Sequence, residues 1–405
     1  MTEIVTTRCC IAGGGPAGMM LGLLLARAGV PVVVLEKHAD FLRDFRGDTV
    51  HPSTLNLMDE LGLLDDFLRR PHNRVTTLTG QIGSERVTIA DFRHVPTRCK
   101  FVALMPQWDF LDFIADTARR YPSFDLRMRA EAVGLIEDNG KVTGVRAKTP
   151  DGDLAIHADL VVGADGRHST LRQAAALAVD DIGAPMDVLW FRLSRHADDP
   201  EETFGHLEAG RMMVMLNRGD YWQCAYVIAK GSIDRLKAKG LPAFRDTVAA
   251  MSPFVRDRLD EISDWDHVKL LTVAVDRLRR WWRPGLLCIG DAAHAMSPIG
   301  GVGINLAIQD AVAAANKLAQ PLYDRHVTDA DLAAVEQRRT FPTRATQRVQ
   351  VAVQNSVISS VLSGKTMRVP FVVRLLQWIP LLRVIPAYVV GVGVRPEHIE
   401  TPERL

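Results

Sequence analysis

The sequence has few of the features that mark a metalloprotein, a secreted protein or a nucleic-acid-binding protein. Its 405 residues include five cysteines, and no two of them form a Cys-x-x-Cys pair. Neither a zinc site nor a disulfide framework is indicated, so we expect no metal and a reducing, cytoplasmic location. The formal net charge is +1 and no block of Lys or Arg stands out, which argues against a nucleic-acid partner.

The chain also lacks an apolar run long enough to cross a bilayer. Its most apolar segment is residues 369–394, which Pro370, Arg374, Pro380 and Arg383 interrupt, well short of the ~20 residues that a membrane helix needs. No basic stretch precedes the first apolar run, so we expect a β-strand there rather than a signal peptide. No transmembrane segment is predicted, and peripheral membrane contact stays open.

The chain is long enough for two or three domain-sized units. Its first motif is a glycine-rich loop near the N-terminus. A strand-like segment, residues 4–11, leads into the loop, an apolar helix pattern follows, and a second buried strand, residues 30–35, ends at an acid. This pattern binds a dinucleotide, because the glycines permit a tight turn, close approach of a pyrophosphate and close helix packing, and the acid binds a ribose hydroxyl. An acid at this position favours FAD or NAD over NADP, and the pattern alone does not choose between them. The predicted contacts are Gly13, Gly14, Gly15, Ala17, Gly18, Glu36 and Lys37.

Two later loops have the same design. Residues 163–172 and residues 290–305 each follow a buried strand, contain an acid (Asp165 or Asp291) with glycines, and lead into a helix. Such a loop suits a hydroxyl-rich or anionic ligand, because the carboxylate accepts hydrogen bonds and the helix N-terminus offers unpaired N–H groups and a partial positive charge.

With these three loops in order, the sequence resembles the class A flavoprotein monooxygenases of the para-hydroxybenzoate hydroxylase type. In that family a glycine fingerprint, a motif with Asp-Gly and a motif with Gly-Asp bind one FAD. The resemblance covers most of the first 320 residues and implies an α/β fold, in which a Rossmann-like FAD-binding domain carries an inserted antiparallel-sheet substrate domain and a C-terminal helical region. The expected segments are 1–75, 100–180 and 268–320 for the FAD-binding domain, 76–99 and 181–267 for the substrate domain, and 321–405 for the helical region.

The resemblance also implies roles for residues that the sequence alone leaves undecided. Arg46 and Gln107 fall where the family contacts FAD, although a surface charge and a helix cap are the alternatives for them. A backbone group near Ala132 is expected to approach the adenine. His51, which precedes a proline, is interpreted as a cap or packing residue.

The third motif is expected to bind the flavin end of the cofactor. The Asp291 carboxylate would bond the ribityl chain, and the helix N-terminus near the pyrimidine edge would stabilise the anionic reduced flavin. Pro298 and the glycines after it would line the side that reacts with oxygen. The predicted contacts here are Asp291, Pro298, Gly301, Gly303, Ile304 and Asn305.

Three antiparallel strands, predicted for residues 187–195, 211–216 and 221–229, form one wall of a substrate cavity in the resembling family. Their mixed apolar and polar side chains suggest an aromatic or otherwise apolar substrate of moderate size, and the pattern does not say which face points inward. The substrate-pocket candidates are Tyr221, Gln223 and Pro298. His206 and Arg192 are further candidates for orienting a substrate hydroxyl, and we assign no catalytic base.

The resemblance implies that NADH or NADPH binds transiently, reduces FAD and leaves, since no second dinucleotide fingerprint is present. Oxygen then gives a flavin C4a-hydroperoxide that hydroxylates an aromatic or other electron-rich lipophilic molecule. Two alternatives are a reductase or dehydrogenase of the same fold acting on an isoprenoid-like substrate, and a flavin-binding redox sensor without turnover.

Residues 313–354 have a helical pattern followed by proline-broken apolar segments, which indicate either a helical cap or an apolar surface for dimerisation or membrane contact. A monomer and a homodimer are both compatible with this pattern.

Overall fold

The computed structural model describes residues 2–42, 49–358, 361 and 369–404. The strands are β1 (Glu3–Ala12), β2 (Val32–Glu36), β3 (Thr49–Val50), β4 (Asn73–Val75), β5 (Thr77–Ile82), β6 (Glu85–Asp91), β7 (Val102–Leu104), β8 (Phe124–Met128), β9 (Glu131–Asp138), β10 (Lys141–Thr149), β11 (Gly152–Gly163), β12 (Val179–Asp181), β13 (Met186–Ser194), β14 (Phe204–Glu208), β15 (Arg211–Asn217), β16 (Tyr221–Ala229), β17 (Lys269–Leu271), β18 (Asp276–Leu278), β19 (Trp282–Arg283) and β20 (Leu286–Cys288). The α-helices are α1 (Pro16–Arg27), α2 (Pro52–Glu60), α3 (Leu64–Leu68), α4 (Gln107–Ala118), α5 (Thr170–Ala174), α6 (Ile233–Lys237), α7 (Leu241–Met251), α8 (Val302–Tyr323), α9 (Asp329–Val353), α10 (Phe371–Trp378) and α11 (Val384–Gly391).

The larger sheet is built around parallel strands. Its order is β19-β20-β11-β1-β2-β8, and β20, β11, β1, β2 and β8 run parallel. The strand ends are in register, since Gly163 lies opposite both Ala12 and Cys288. The predicted hairpin turn at Asn139 and Gly140, which both have positive φ, joins β9 to β10, and β10 pairs antiparallel with β11.

Both faces of this sheet are covered, which is why its central strands are apolar throughout. Helices α1, α4 and α8 pack on one face around a core that includes Leu21, Ile308 and Ala311. The β9–β10 hairpin and α5 enclose a second cluster, with Val145 and Leu171 at 0% exposure. The α/β class expected from the sequence is confirmed by this arrangement.

The second sheet has the order β17-β13-β16-β15-β14-β5-β6 and is antiparallel except for the pairing of β14 with β5. Strands β13, β15 and β16 lie within a residue of the predicted ranges, whereas β14 was not predicted. Strand β17 pairs with β13, so the boundary expected between residues 267 and 268 falls inside this sheet.

The helical pattern of residues 313–354 corresponds to two helices, with a break between them. Helix α8 ends at Tyr323, and α9 begins after Thr328, whose side chain and that of Asp331 form a capping box. Helices α10 and α11 then pack against β6. Among the described residues no single helix meets the length and apolarity expected of a membrane span, and only the bent pair Phe371–Trp378 with Pro380–Gly391 does so jointly.

Candidate functional site

The three motif loops lie side by side because their strands are neighbours. The order β20-β11-β1-β2 places the third loop, the second loop, the first loop and the acid of β2 along one edge of the sheet. These are the carboxyl ends of parallel strands, which is where open α/β sheets bind ligands. With neighbouring strands about 4.8 Å apart, the row is about 14 Å wide, which suits an extended dinucleotide.

The glycines of the first loop have different surroundings. A Cβ on Gly13, whose φ is +110°, would lie 2.2 Å from the carbonyl oxygen of Ala164, and one on Gly18 would lie 1.9 Å from the carbonyl oxygen of Gly13. A Cβ on Gly15 would meet no protein atom within 4 Å. Gly13 and Gly18 therefore serve close packing, while Gly15 faces open space at the N-terminus of α1, where a pyrophosphate would fit.

Glu36 is buried at the end of β2 beside this loop. Its Oε2 accepts a hydrogen bond from the Gly14 N–H at 3.1 Å, and its Oε1 accepts one from the His38 N–H at 3.0 Å. The Ala130 N–H donates to the Glu36 carbonyl at 2.9 Å, which brings the start of β9, with Ala132 two residues further on, to the Glu36 end of the row.

The second loop carries a buried oxygen without a partner. Asp165 Oδ2 accepts a hydrogen bond from the Leu171 N–H at 3.2 Å, whereas Oδ1 is buried and has no hydrogen-bond partner among the described residues. Burial raises the pKa of the Asp165 carboxyl, and the hydrogen bond from Ser169 opposes that shift. An acceptor left unpaired beside an open loop is suited to a hydroxyl group or water that a bound ligand brings.

The third loop contacts both of the others. Asp291 Oδ2 lies 3.6 Å from Nη2 of Arg167, which belongs to the second loop. A Cβ on Gly290, whose φ is +59°, would lie 3.2 Å from the Cβ atoms of Ala17 and Ala307. The structure thus joins the three sequence motifs into one continuous site, and it adds Arg167, which the sequence did not single out.

The N-terminus of α8 begins at this site. Gly301 is its N-cap, in left-handed conformation, and no side chain caps the helix there. The first N–H groups of α8 are therefore available, with the positive end of the helix dipole. Thr49 Oγ1 donates to the Gly301 carbonyl at 3.0 Å, and His51 Nε2 lies 3.1 Å from the same oxygen. His51 is thus a packing residue that holds the loop, as expected.

The amide oxygen of Asn305 is held by the protein itself. Its Oδ1 accepts hydrogen bonds from Ser53 Oγ at 2.8 Å and Thr54 Oγ1 at 2.7 Å. Its Nδ2 group and its backbone are left for a ligand, beside the backbones of Gly303 and Ile304, which are half-buried. Sequence reasoning missed Ser53 and Thr54, because hydroxyl residues at the start of a helix resemble ordinary caps.

The remaining cofactor candidates surround this row less closely. Pro298 is half-buried and precedes the turn Ile299–Gly301. Gln107 is half-buried at the first position of α4, and Lys37 is exposed after β2. Arg46 lies outside the described residues.

One face of the second sheet points toward the third loop. Ala225 and Val227 of β16 and Trp190 of β13 cluster with Ile299, the residue after Pro298. Because side chains alternate along a strand, Gln223 and Tyr221 share this face. Gln223 is buried, and its Oε1 accepts a hydrogen bond from Arg218 Nε at 3.1 Å.

Tyr221 is the outermost of these candidates. It begins β16, four residues and about 13 Å before Ala225, and the Arg192 guanidinium lies 3.9 Å from its ring centre. His206 lies on the other face, where its Nδ1 is 2.7 Å from the Met251 carbonyl oxygen, so it is not placed to orient a substrate beside the third loop. The described residues contain no cluster of His, Cys, Asp or Glu able to hold a metal.

Residues 6–349 match a family model described as FAD binding domain. The chain belongs to this family of FAD-dependent aromatic monooxygenases. It is 33% identical over 356 residues to 6-methylpretetramide 4-monooxygenase of Streptomyces rimosus, spanning 87% of this chain and 85% of that one. It is 27% identical over 312 residues to an uncharacterised aromatic compound monooxygenase, YhjG, of Bacillus subtilis, spanning 76% of this chain but only 60% of that longer relative.

The fold is also similar to a solved structure. The probable FAD-dependent monooxygenase PqsL from Pseudomonas aeruginosa superposes with a TM-score of 0.74 at 22% identity, covering 88% of this chain and 98% of that one. The open space at Gly15, the unpaired Asp165 oxygen and the uncapped α8 fit an FAD that lies along the row of loops. Together they leave room for a pyrophosphate, a hydroxyl-bearing chain and a ring that becomes anionic.

Proposed function

We propose that this protein is an NAD(P)H-dependent monooxygenase that hydroxylates an aromatic or other electron-rich lipophilic small molecule. The observation that carries the proposal is the position of the third loop, which belongs to the row of motif loops and, through Ile299, also packs against the apolar face of the second sheet. The names of both curated relatives, which are monooxygenases, support the same reaction class.

The cofactor contacts remain proposals residue by residue. The loop of Gly13, Gly14, Gly15, Ala17 and Gly18 would bind the pyrophosphate, with Gly15 facing it and Gly13 and Gly18 giving the loop its close packing. The adenosine end would lie against Glu36, Lys37 and Ala132. At the flavin end the proposed contacts are Asp291, Pro298, Gly301, Gly303, Ile304 and Asn305. Arg46, Gln107 and Asp165 are proposed as FAD contacts without assignment to one part of the cofactor. FAD, when bound, supplies electron transfer from NADH or NADPH and the activation of O2.

The protein's own contribution is positioning and exclusion of water. The N-terminus of α8 presents a positive dipole that favours negative charge on a ring beside it. The sheet face with Ala225 and Val227 forms an apolar wall next to Ile299, so a substrate bound against this wall would be shielded from solvent. Gln223 and Tyr221 would supply the polar groups that orient the substrate.

The test is oxygen uptake by the FAD-loaded protein with NADH or NADPH and a panel of phenols, quinones and lipophilic aromatics. We expect particular substrates to accelerate both NAD(P)H oxidation and O2 consumption, with one atom of isotopically labelled O2 appearing in the product. Substrate-dependent reduction without oxygen uptake would instead favour the reductase or dehydrogenase. Failure of every electron donor to bleach the flavin would favour the redox sensor.

We also propose a cellular compartment and a domain division. All five cysteines are unpaired and buried, and thiols persist in a reducing compartment, which supports the cytoplasm. The two sheets support division into an FAD-binding and a substrate domain at about the predicted boundaries, with residues 269–271 moved to the substrate domain. For the oligomer we retain a monomer or a homodimer.

A further inference from the structure

The C-terminal hairpin, residues 371–391, exposes an unusual amount of apolar surface. Its outer face contains eight of the eighteen large apolar side chains that are exposed among the described residues. Phe371 is 69% exposed, Trp378 68% and Leu381 77%. The outer face consists of Phe371, Val372, Trp378, Ile379, Leu381, Ile385, Tyr388 and Val389.

The opposite, inner face of this hairpin is firmly attached to the protein. The Gln377 amide pairs with the backbone of Thr88, accepting from its N–H at 3.1 Å and donating to its carbonyl at 2.9 Å. Ala387 and Val392 are buried in a cluster with Phe92. The hairpin is therefore already docked on β6, and its outer face is a surface of the folded protein.

The sequence of this region is basic, although one acid of the neighbouring strand, Glu85, lies 3.8 Å from Arg374. Between residues 361 and 396 the sequence contains five Lys or Arg residues and no Asp or Glu. The aromatic rings of Phe371 and Trp378 lie together, with centroids 6.4 Å apart. Exposed aromatic and aliphatic side chains flanked by basic residues are the composition of segments that lie in the headgroup region of anionic membranes.

We propose that the outer face binds the surface of an anionic lipid bilayer, with the hairpin lying in the interface. Helices α10 and α11 contain eight residues each, or about 12 Å of helix, and the break between them bends by 119°. Neither helix reaches across a hydrocarbon core of about 30 Å. A second copy of this chain is a poorer occupant, because a twofold contact would set two segments with an excess of basic residues against each other.

This inference does not rest on the proposed reaction, because binding is measured without turnover. The FAD-loaded full chain is sedimented with sucrose-filled vesicles. These consist of phosphatidylcholine alone or of phosphatidylcholine with roughly 30% phosphatidylglycerol, an anionic lipid that makes the surface potential negative. We expect partition into the anionic vesicles, several-fold weaker partition into neutral ones, and weakening by salt as surface charges are screened.

The variant Phe371→Ser/Trp378→Ser/Leu381→Ser removes the most exposed apolar groups while leaving Gln377 and the inner face intact. We expect at least a roughly tenfold loss of partition, with flavin content and thermal midpoint unchanged. Arg374 is 49% exposed and lies 3.8 Å from Glu85, so Arg374→Gln makes the surface more negative by one charge. It should lose roughly fivefold in partition and serves as a second variant if the triple variant folds poorly.

A matched control is Ile4→Ser/Val133→Ser, which removes exposed apolar side chains from the larger sheet and should leave partition unchanged. Absence of wild-type partition into anionic vesicles overturns the proposal. So does equal loss of partition in the control. A wild-type dimer in light scattering that the triple variant converts to a monomer, without vesicle binding by either, would identify a second copy as the occupant and also overturn it.

Discussion

The Asp310 carboxylate lies 2.6 Å from Nε2 of His294, and both side chains are almost completely buried. The same Oδ2 atom accepts the Gly290 N–H at 3.1 Å, and Oδ1 accepts Arg339 Nε at 2.9 Å. Arg339 in turn donates to Glu397 at 3.0 Å. One carboxylate thereby ties the third motif loop to α8, α9 and the C-terminal segment.

Asp310→Asn should strongly destabilise the protein. The amide would place an N–H donor opposite the Gly290 N–H, and would remove one of the two carboxylates that pair with the buried Arg339, leaving Glu397. Loss of a hydrogen bond to a buried group costs about 1–3 kcal/mol. We expect the free energy of unfolding in urea to fall by about that amount. Asp324→Asn, at the exposed end of the same helix, is the control and should change it by about 0.5 kcal/mol or less. A loss below about 1 kcal/mol in Asp310→Asn would contradict this role.

A second buried pair predicts how stability depends on pH. Asp199 accepts two hydrogen bonds from Arg258, at 2.7 and 3.0 Å, and one from Trp222 Nε1 at 2.8 Å. Burial alone would raise the pKa of Asp199, but these hydrogen bonds outweigh it and hold the pKa below its ordinary value of 3.8. Since the folded pKa is the lower one, the contribution is fully present above about pH 4 and is lost as pH falls through the folded pKa.

The measurement compares the wild type with Asp199→Asn from pH 7 down to pH 3. We expect the wild type to have the larger free energy of unfolding at pH 7, and the difference to shrink below about pH 4 as the carboxylate is protonated. The exposed Asp198→Asn should show no such convergence. A difference that stays constant over this range would rule out the pair as the source.

The glycine loop gives a prediction that separates folding from cofactor binding. A Cβ on Gly15 meets open space and the backbone is extended there, so Gly15→Ala should fold with a loss of about 1 kcal/mol or less. Its methyl group occupies the place proposed for the pyrophosphate, so FAD affinity should fall at least roughly tenfold in titrations of the apoprotein.

Two other glycine positions serve as controls for Gly15→Ala. Gly18→Ala brings a methyl group 1.9 Å from the Gly13 carbonyl oxygen and should lower the thermal midpoint whether or not FAD is present. Gly205→Ala meets only side-chain atoms at 3.8 Å or more and should alter neither stability nor FAD affinity. If Gly15→Ala binds FAD as tightly as the wild type, the pyrophosphate does not lie there.

The three motif loops could be recognised in the sequence because the parts of each loop are contiguous. Each motif combines a strand, a loop and a helix start in fewer than twenty residues, and parallel strands bring such loops to one edge. The Asp310 network was missed because its partners are 29 and 58 residues apart, and no local pattern links them. The orientation of His206 also could not be predicted, because β14 was not recognised and the alternation of its side chains was unknown.

Two tryptophans on opposite faces of the second sheet test which face binds substrate. Trp190 packs against the same buried cluster as Ile299, and its Nε1 is buried without a hydrogen-bond partner among the described residues. Trp222 Nε1 instead donates to Asp199 on the other face. Trp190→Phe removes an unpaired donor, which offsets the lost area, so stability should change by about 1 kcal/mol or less. If Trp190 donates to a substrate oxygen, KM should rise roughly tenfold.

Trp222→Phe is the matched control, because it removes the same indole N–H from the opposite face. We expect a lower free energy of unfolding, by about 1–3 kcal/mol, since the buried Asp199 loses a donor, with KM unchanged. The KM of each variant is measured from steady-state oxidation of NAD(P)H with the best substrate of the panel. If KM rises in Trp222→Phe and stays unchanged in Trp190→Phe, the substrate binds on the face that contains Trp222, which contradicts our assignment. The apolar wall beside Ile299 would then be ordinary packing between the two sheets.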